Sequence, residues 1–347
     1  MGAVREEVFR KISPAEFIYR YREIAGFSNP ARALYQTVRE LVENSLDACE
    51  LHGIAPDIHV RMVIEEDAGE DSLVRIRVMD NGCGIPRKHL PRAFGEVFYG
   101  SKYVIRQSRG LFGLGATAAL IYAQARTNKP FRVISSTGDD AIWEMTLKID
   151  IKRGRARKLS ERSYKNSKGW HGTIIELFTR GDYRRATRKI VEYLRRLSVV
   201  TPYADITFID GDGGFYHFHR VINEVSPPPK IALPHPHGVD AESLSAMLKV
   251  TRCRTLHNFL VKHFQRVGKN LAKKFLVEHG FAPNRDPKTL DEEEIARFAE
   301  ALAKYPRFRI PDASCLSPLT VGVFEAGIRE EFDPEFVAVY EGCPRAC

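Results

Sequence analysis

The sequence predicts an α/β layer domain, then a small all-helical domain, then the beginning of a further element. Three observations carry this. Helical and strand periodicities alternate over the first ~220 residues. Residues 222–237 then hold five prolines (Pro227, Pro228, Pro229, Pro234 and Pro236) and read as a linker. Beyond them only helical spacing is found. At about 150 residues per domain, 347 residues suit two or three domains.

In chain order, residues 1–28 form an arm carrying Phe9, Phe17, Tyr19 and Tyr21, suited to packing on its own domain or to reaching a partner protomer. Pro30 opens a helix running to about Glu50, because proline suits the first helical turn. Alternation and β-branched content predict strands at 58–64, 73–79, 131–135, 141–149 and 173–178. Helices are expected near 116–125 and 184–198. Past the linker, apolar spacing marks helices at 242–248, 255–263, 267–279 and 290–304. Asp291 with Glu294 three residues on predicts a capping box at the last of these. After Tyr305 something new begins.

Composition narrows the class. Apolar residues make up 44% and charged residues 28%, which supports a sizeable core and excludes a disordered, collagenous or coiled-coil chain. No apolar run approaches the ~20 residues of a membrane span, and residues 1–9 lack a signal-peptide core. Six scattered cysteines point to reduced thiols in a cytoplasm rather than a disulfide scaffold. Cys343 and Cys347 are candidate metal ligands by type, but two thiolates do not close a site. The net charge of +9 is concentrated: residues 152–168 net +7, residues 252–288 net +7, and everything else nets −5. That distribution favours an anionic partner.

Three sequence features bear on chemistry. Glu40, Asn44 and Asp47 fall at i, i+4 and i+7 on the 30–50 helix, beside the apolar stripe of Leu34, Val38, Leu41 and Val42. A carboxylate beside an amide suits magnesium-dependent phosphate chemistry, and equally an ordinary polar helix face. The strand at 73–79 ends in Asp80-Asn81-Gly82-Cys83-Gly84-Ile85-Pro86. There an aspartate can accept from an amino group such as that of adenine, while the glycines admit a flat ligand or simply make a tight turn. Gly110-Leu111-Phe112-Gly113-Leu114-Gly115 precedes a helix that begins Ala116-Thr117, an arrangement that turns backbone N–H groups toward phosphate. Ser101 and Lys102 offer a hydroxyl and a cation ahead of it. Finally, the Thr173 hydroxyl, at the start of the strand at 173–178, is suited to buttress Asp80, or is simply a strand-start threonine with no ligand role.

In combination, Glu40-x-x-x-Asn44, Asp80-x-Gly82-x-Gly84, Gly110-x-x-Gly113-x-Gly115 and Gly172-Thr173 resemble the box order of the GHKL ATPases. That superfamily contains gyrase-type topoisomerases, MutL, the ninety-kilodalton chaperones and histidine kinases. Within it, the chain is similar to the B-subunit family of the type IIB DNA topoisomerases (topoisomerase VI). The segments that carry this likeness are 26–34 (GFSNPARAL), 43–50 (ENSLDACE), Ser108-Arg109-Gly110, 264–268 (FQRVG), 315–318 (CLSP) and 334–338 (PEFVA).

The resemblance implies a Bergerat-type ATPase α/β sandwich at 29–226 behind the 1–28 arm. It further implies a helix-two-turns-helix domain at 227–306 and an incomplete α/β transducer domain from 307 to 347. It implies ATP and magnesium as ligands, with double-stranded DNA and the nuclease A-subunit of topoisomerase VI as partners in an A2B2 heterotetramer. ATP-dependent homodimerisation would exchange the N-terminal arm. Glu40 would be the general base, and Asn44 would hold magnesium. Asp47, Asp80, Gly82, Gly84 and Thr173 would line the nucleotide, with Asp80 reading the adenine amino group and Thr173 holding a water beside it. Ser101, Lys102 and the run Gly110, Leu111, Phe112, Gly113, Leu114, Gly115, Ala116 and Thr117 would surround the phosphates. Lys269, Lys273 and Lys274 are candidates for DNA contact.

Two departures from the family pattern bear on activity. Leu111 and Phe112 stand where the family has two glutamines, and no lysine follows Lys304 to serve as the transducer lysine. These lead to the expectation that the chain binds ATP and hydrolyses it poorly, as an ATP-gated clamp would. A histidine kinase is disfavoured because no phosphoacceptor helix pair precedes Glu40. A mismatch-repair protein is disfavoured by the helix-two-turns-helix segment.

Overall fold

The computed structural model describes residues 12–23, 26–97, 99, 107–109, 114–340 and 342. These fall into two compact units. The first comprises the described residues up to 228 except Gln107, together with 318–340; the second comprises 229–317 with Gln107 and Gly342. The segment expected to open a third domain, 307–347, is thus divided between the two.

In the first unit the chain runs α1 (Pro14–Arg20), α2 (Pro30–Glu50), β1 (Asp57–Glu66), β2 (Ser72–Asp80), α3 (Leu90–Gly95) and α4 (Gly115–Thr127). It continues through β3 (Phe131–Thr137), β4 (Ala141–Asp150), β5 (Arg155–Lys165), β6 (His171–Gly181), α5 (Tyr183–Val200), β7 (Asp205–Ile209) and β8 (Phe215–Phe218). Among the described residues the strands form one eight-stranded sheet in the order β5-β4-β3-β6-β2-β1-β7-β8. The β1–β7 pair is parallel and the other pairs are antiparallel.

The helices cover one face, as the alternation predicts. On β2, Val74, Ile76 and Val78 are buried toward the helices, whereas Arg77, on the other face, is exposed. That other face carries ion pairs such as Arg132–Glu176 at 3.1 Å. α2 starts where Pro30 predicts: the Asn29 side chain accepts from the Arg32 N–H at 2.8 Å. Its apolar stripe of Leu34, Val38, Leu41, Val42 and Leu46 is buried in the sheet-facing core. Each such side chain contributes roughly 1.5–3 kcal/mol relative to exposure.

Three strands go beyond the sequence expectation. β5 lies within the basic segment 152–168 and is an edge strand exposed on both faces for most of its length. With no face to bury it shows no apolar alternation, and its Arg and Lys side chains protect an open edge. β7 and β8, of five and four residues, are too short to register as alternation.

The described part of the arm lies on its own chain. Ser13 caps α1 by accepting from Glu16 N–H and donates to the Ile151 carbonyl at 2.6 Å. Ala15 and Ile18 are buried in the core, with α1 against α4, while Phe17 and Tyr19 remain exposed. α10 (Val321–Phe332) packs on α5, and Arg195 pairs with Glu331 at 2.7 Å.

The second unit contains α6 (Ala241–Val250), α7 (Leu256–His263), α8 (Lys269–Glu278) and α9 (Glu292–Lys304) around a core of Leu244, Phe259, Phe264, Phe275, Leu276 and Phe298. The capping box at α9 is formed, with Asp291 accepting from Glu294 N–H and Glu294 accepting from Asp291 N–H. Lys269, Lys273 and Lys274 are exposed on α8.

Candidate nucleotide site

Strand register assembles the centre of the site. Asp80 on β2 pairs with Thr173 on β6, and Thr173 pairs with Ser135 on β3, so three polar residues stand in a row across adjacent strands at one end of the sheet. The Asp80 carboxylate is buried and held from two sides. Oδ1 accepts from the backbone N–H of Gly82 at 2.9 Å and of Thr173 at 3.1 Å. Oδ2 accepts from the Ser45 hydroxyl of α2 at 2.9 Å. Burial outweighs these hydrogen bonds and pushes the Asp80 carboxyl up to about 6.

Thr173 supports Asp80 through its backbone, which corrects the expectation placed on its hydroxyl. Ser135 Oγ gives its one proton to the Gly172 carbonyl and accepts from Ile85 N–H, so at 3.0 Å it is Thr173 that donates to Ser135.

The Asp80–Pro86 turn is fixed by the protein itself. Asn81 donates to the Ala55 carbonyl and accepts from Asp57 N–H. The Gly82 carbonyl accepts from His171 Nδ1 at 2.8 Å, and because a carbonyl cannot donate, Nδ1 carries the proton. Gly84 has φ +69°, and a Cβ there would lie 1.8 Å from the Ser136 carbonyl oxygen. Its glycine is required by close packing on β3, an intramolecular reason distinct from ligand approach.

On α2, Glu40 and Asn44 are half-buried. Gln36 Nε2 donates to Glu40 Oε1 at 2.6 Å. The other oxygen, Oε2, lies 1.5 Å from where a Cβ on Gly115 would sit, so the carboxylate rests on the first turn of α4. The partial positive charge of a helix N-terminus favours a carboxylate there. Asp47 departs from the rim position expected of it. It is buried and pairs with Arg109 at 3.3 Å. Arg109 also grips Glu50 with two bonds of 2.5 and 2.8 Å, and the Tyr203 hydroxyl donates to the same Glu50 carboxylate. Leu114 and Ala116 are half-buried, and Thr117 is buried within α4. Ser101, Lys102, Gly110, Leu111, Phe112 and Gly113 lie outside the described residues, as do Cys343 and Cys347.

A buried aspartate at a strand end, a carboxylate and an amide on the α2 helix that packs against that strand, and the first turn of α4 under the Glu40 carboxylate thus make up the candidate site. Residues 29–153, which hold these groups except Thr173, match the histidine kinase-, DNA gyrase B- and HSP90-like ATPase family. That match lies within the first unit and takes in α2, β1, β2, α4 and β3.

Sequence likeness extends beyond this segment. The chain is 42% identical over 98% of its length to the B-subunit of type 2 DNA topoisomerase 6 from Saccharolobus shibatae, and 41% identical to that from Saccharolobus solfataricus. The chain spans 64% of the length of these proteins. Among solved structures, the ATPase and transducer domains of DNA topoisomerase II from Balamuthia mandrillaris align over 61% of each chain, at 15% identity and a TM-score of 0.47.

Sequence reasoning missed Ser45, Ser135, His171 and Arg109. Arg109 and Ser45 left a trace only as members of the Ser108-Arg109-Gly110 and 43–50 segments; Ser135 and His171 are recruited by strand register.

Proposed function

We propose that this chain binds ATP with magnesium and forms the ATPase part of a type IIB topoisomerase B-subunit. In this reading ATP binding closes a homodimeric gate, with arm exchange, and hydrolysis is coupled through the A-subunit to passage of one DNA duplex through another. The observation that carries it is the buried Asp80 carboxylate, anchored by Ser45, Gly82 and Thr173, with Glu40 on the same helix as Ser45 and resting on α4. Residues 29–226, 227–306 and 307–347 would then be the ATPase, helix-two-turns-helix and transducer segments.

Asp80 accepts the adenine amino group, and the backbone amides of the Thr173 and Gly82 positions keep its oxygens oriented. Glu40, with one oxygen steadied by Gln36, uses the other to orient and deprotonate the attacking water. The amide of Asn44, one turn from the Glu40 carboxylate, makes an oxygen-donor set that suits magnesium. Magnesium would supply charge neutralisation at the phosphate oxygens. The N-terminus of α4, with Gly110–Gly115 ahead of it and Ser101 and Lys102 nearby in sequence, receives the phosphates. Arg109, tied to Asp47 and Glu50, anchors the base of that loop.

The test is nucleotide binding and magnesium-dependent turnover by the purified chain, alone and then with supercoiled DNA and the A-subunit. Glu40→Ala should retain binding and lose turnover, and Asp80→Asn should weaken binding. Absence of ATP binding by the unsubstituted chain would overturn the reading. Leu111 and Phe112, standing where the family has two glutamines, favour a second reading, an ATP-gated clamp; binding and dimerisation without turnover under all these conditions would select it.

A further inference from the structure

We propose that Asp205, His217 and His219 form a binding site for a divalent transition metal of the zinc class, at the β7–β8 edge of the sheet. The site is separate from the nucleotide residues and does not depend on how they function.

The hairpin register brings the three residues together. β7 and β8 pair Ile206 with Phe218 and Thr207 with His217. One step further on, Asp205 falls opposite His219, and His217 and His219, two residues apart, share a face of the strand. One ligand atom from each of the three lies within 4.8 Å of the others. Asp205 Oδ1 and His217 Nε2 are 2.8 Å apart, and the two imidazole rings lie 3.8 Å apart between centroids.

Two ligand atoms on one tetrahedral zinc, each at about 2.0–2.1 Å, lie roughly 3.3 Å from one another. The Asp205–His217 contact therefore needs to open by only about half an ångström to admit the ion. Two imidazoles and a carboxylate suit zinc and its neighbours better than magnesium or calcium, which prefer all-oxygen ligands. The Asp205 and His217 side chains are about three-tenths exposed, so an ion can reach them from solvent.

The same cleft supplies a fourth group. Its lining includes His217, His219, Glu330 and Glu331. Glu331 is engaged by Arg195 at 2.7 Å. Glu330, exposed on α10, is the carboxylate available to complete the set or to hold a metal-bound water. Metal bound here would pin β8 to β7 and, through Glu330, to α10. That makes it a structural clip on the segment where the chain leaves the sheet.

The experiment uses the whole chain, stripped with chelator and titrated with Zn2+ alone by calorimetry, and with Co2+ followed by visible absorption. One equivalent should bind, with the absorption of four-coordinate cobalt and without the thiolate charge-transfer band that cysteine ligands would give. His219→Ala and Asp205→Asn, both at solvent-accessible positions, should each weaken binding by about a hundredfold, at least the cost of losing an outer-shell partner. Glu330→Gln should weaken it less, and Zn2+ should raise the melting temperature of the unsubstituted chain but not of His219→Ala. Absence of saturable binding at 1:1 would overturn the proposal. So would binding unchanged in both His219→Ala and Asp205→Asn, or a cobalt spectrum dominated by thiolate; Asp205–His217 would then be a simple cross-strand ion pair.

Discussion

Glu40 Oε2 occupies the space that a side chain on Gly115 would need, 1.5 Å from the position of its Cβ. The glycine at the start of α4 is thus what allows the carboxylate of α2 to reach the helix N-terminus.

Gly115→Ala should therefore displace the carboxylate while leaving the fold intact. Alanine suits a helix better than glycine, by up to about 1 kcal/mol, and Glu40 is a flexible side chain that can swing aside. We expect a melting temperature close to that of the unsubstituted chain. Turnover should fall about a hundredfold, the scale expected when a catalytic group is misplaced by 1 Å. Steady-state hydrolysis and thermal unfolding check both halves; unchanged turnover would mean that Glu40 does not act from this position.

Asp80 makes a pH-dependent contribution with a definite sign. Its carboxyl is pushed up to about 6, above its ordinary 3.8, so between those values the folded chain holds a proton that the unfolded chain has lost. Its contribution to stability is thus fully present below about 4 and is lost as pH rises through about 6, a change of about 3 kcal/mol. Asp80→Asn, which keeps the shape and can still accept from the Gly82 and Thr173 amides, should lack this dependence. Relative to that variant, the unsubstituted chain should gain stability on going from pH 7 to pH 4.5 in urea unfolding. Nucleotide affinity should move the other way and fall below pH 6, because the ionised carboxylate is the stronger acceptor for an amino group. Parallel pH profiles for the two proteins would contradict this.

These two sites differ in how far the sequence discloses them. Glu40, Asn44 and Asp80 stand at positions where helix spacing and a strand end announce them, and the α2 cap at Asn29 is readable from Pro30. What spacing omits is which atom makes each contact. Ser45, Ser135 and His171 reach the Asp80 turn only because three strands and a helix meet in one register, across separations of 35 to 89 residues. Thr173 is the clearest instance, since the hydroxyl suggested by composition turns to Ser135 while its amide meets Asp80. β5 is silent for a different reason, because an edge strand exposed on both faces carries no alternation. Asp47 looks like a rim residue on a helical wheel, and only the approach of Arg109 makes it a buried ion-pair partner.

Arg109→Ala should destabilise the chain and weaken nucleotide binding together. It removes the guanidinium from two carboxylates, Asp47 and Glu50, whose side chains are only 6% and 15% exposed. Breaking a fully buried pair costs about 3–5 kcal/mol, and since Arg109 is itself 26% exposed we expect about 2 kcal/mol here. Arg109→Lys keeps the charge and loses the two-pronged geometry, and should fall between the two. Denaturant midpoints give the stability order, and ATP titration should follow the same order if this pair anchors the phosphate loop. An ATP affinity unchanged in Arg109→Ala would make the pair structural only.

Two basic segments are candidates to contact the proposed DNA partner, and salt dependence separates them. On α8, Lys269, Lys273 and Lys274 are exposed. On β5, the basic side chains have a structural reason to exist, since they guard a sheet edge, and Lys158 is already paired with Glu161, as is Arg87. α8 is therefore the better candidate for phosphate contact. Each phosphate neutralised contributes about 0.9 to the slope of log affinity against log salt. Changing Lys269, Lys273 and Lys274 together to Glu should reduce that slope by about 2 to 3 and weaken binding to all duplex sequences alike. Changing Arg155, Arg157 and Lys165 to Gln should leave the slope nearly intact while making the exposed edge more prone to self-association, which light scattering would detect. The reverse result, a slope lost only with the β5 substitutions, would move the DNA track to the sheet edge and leave the α8 lysines as a solvated face.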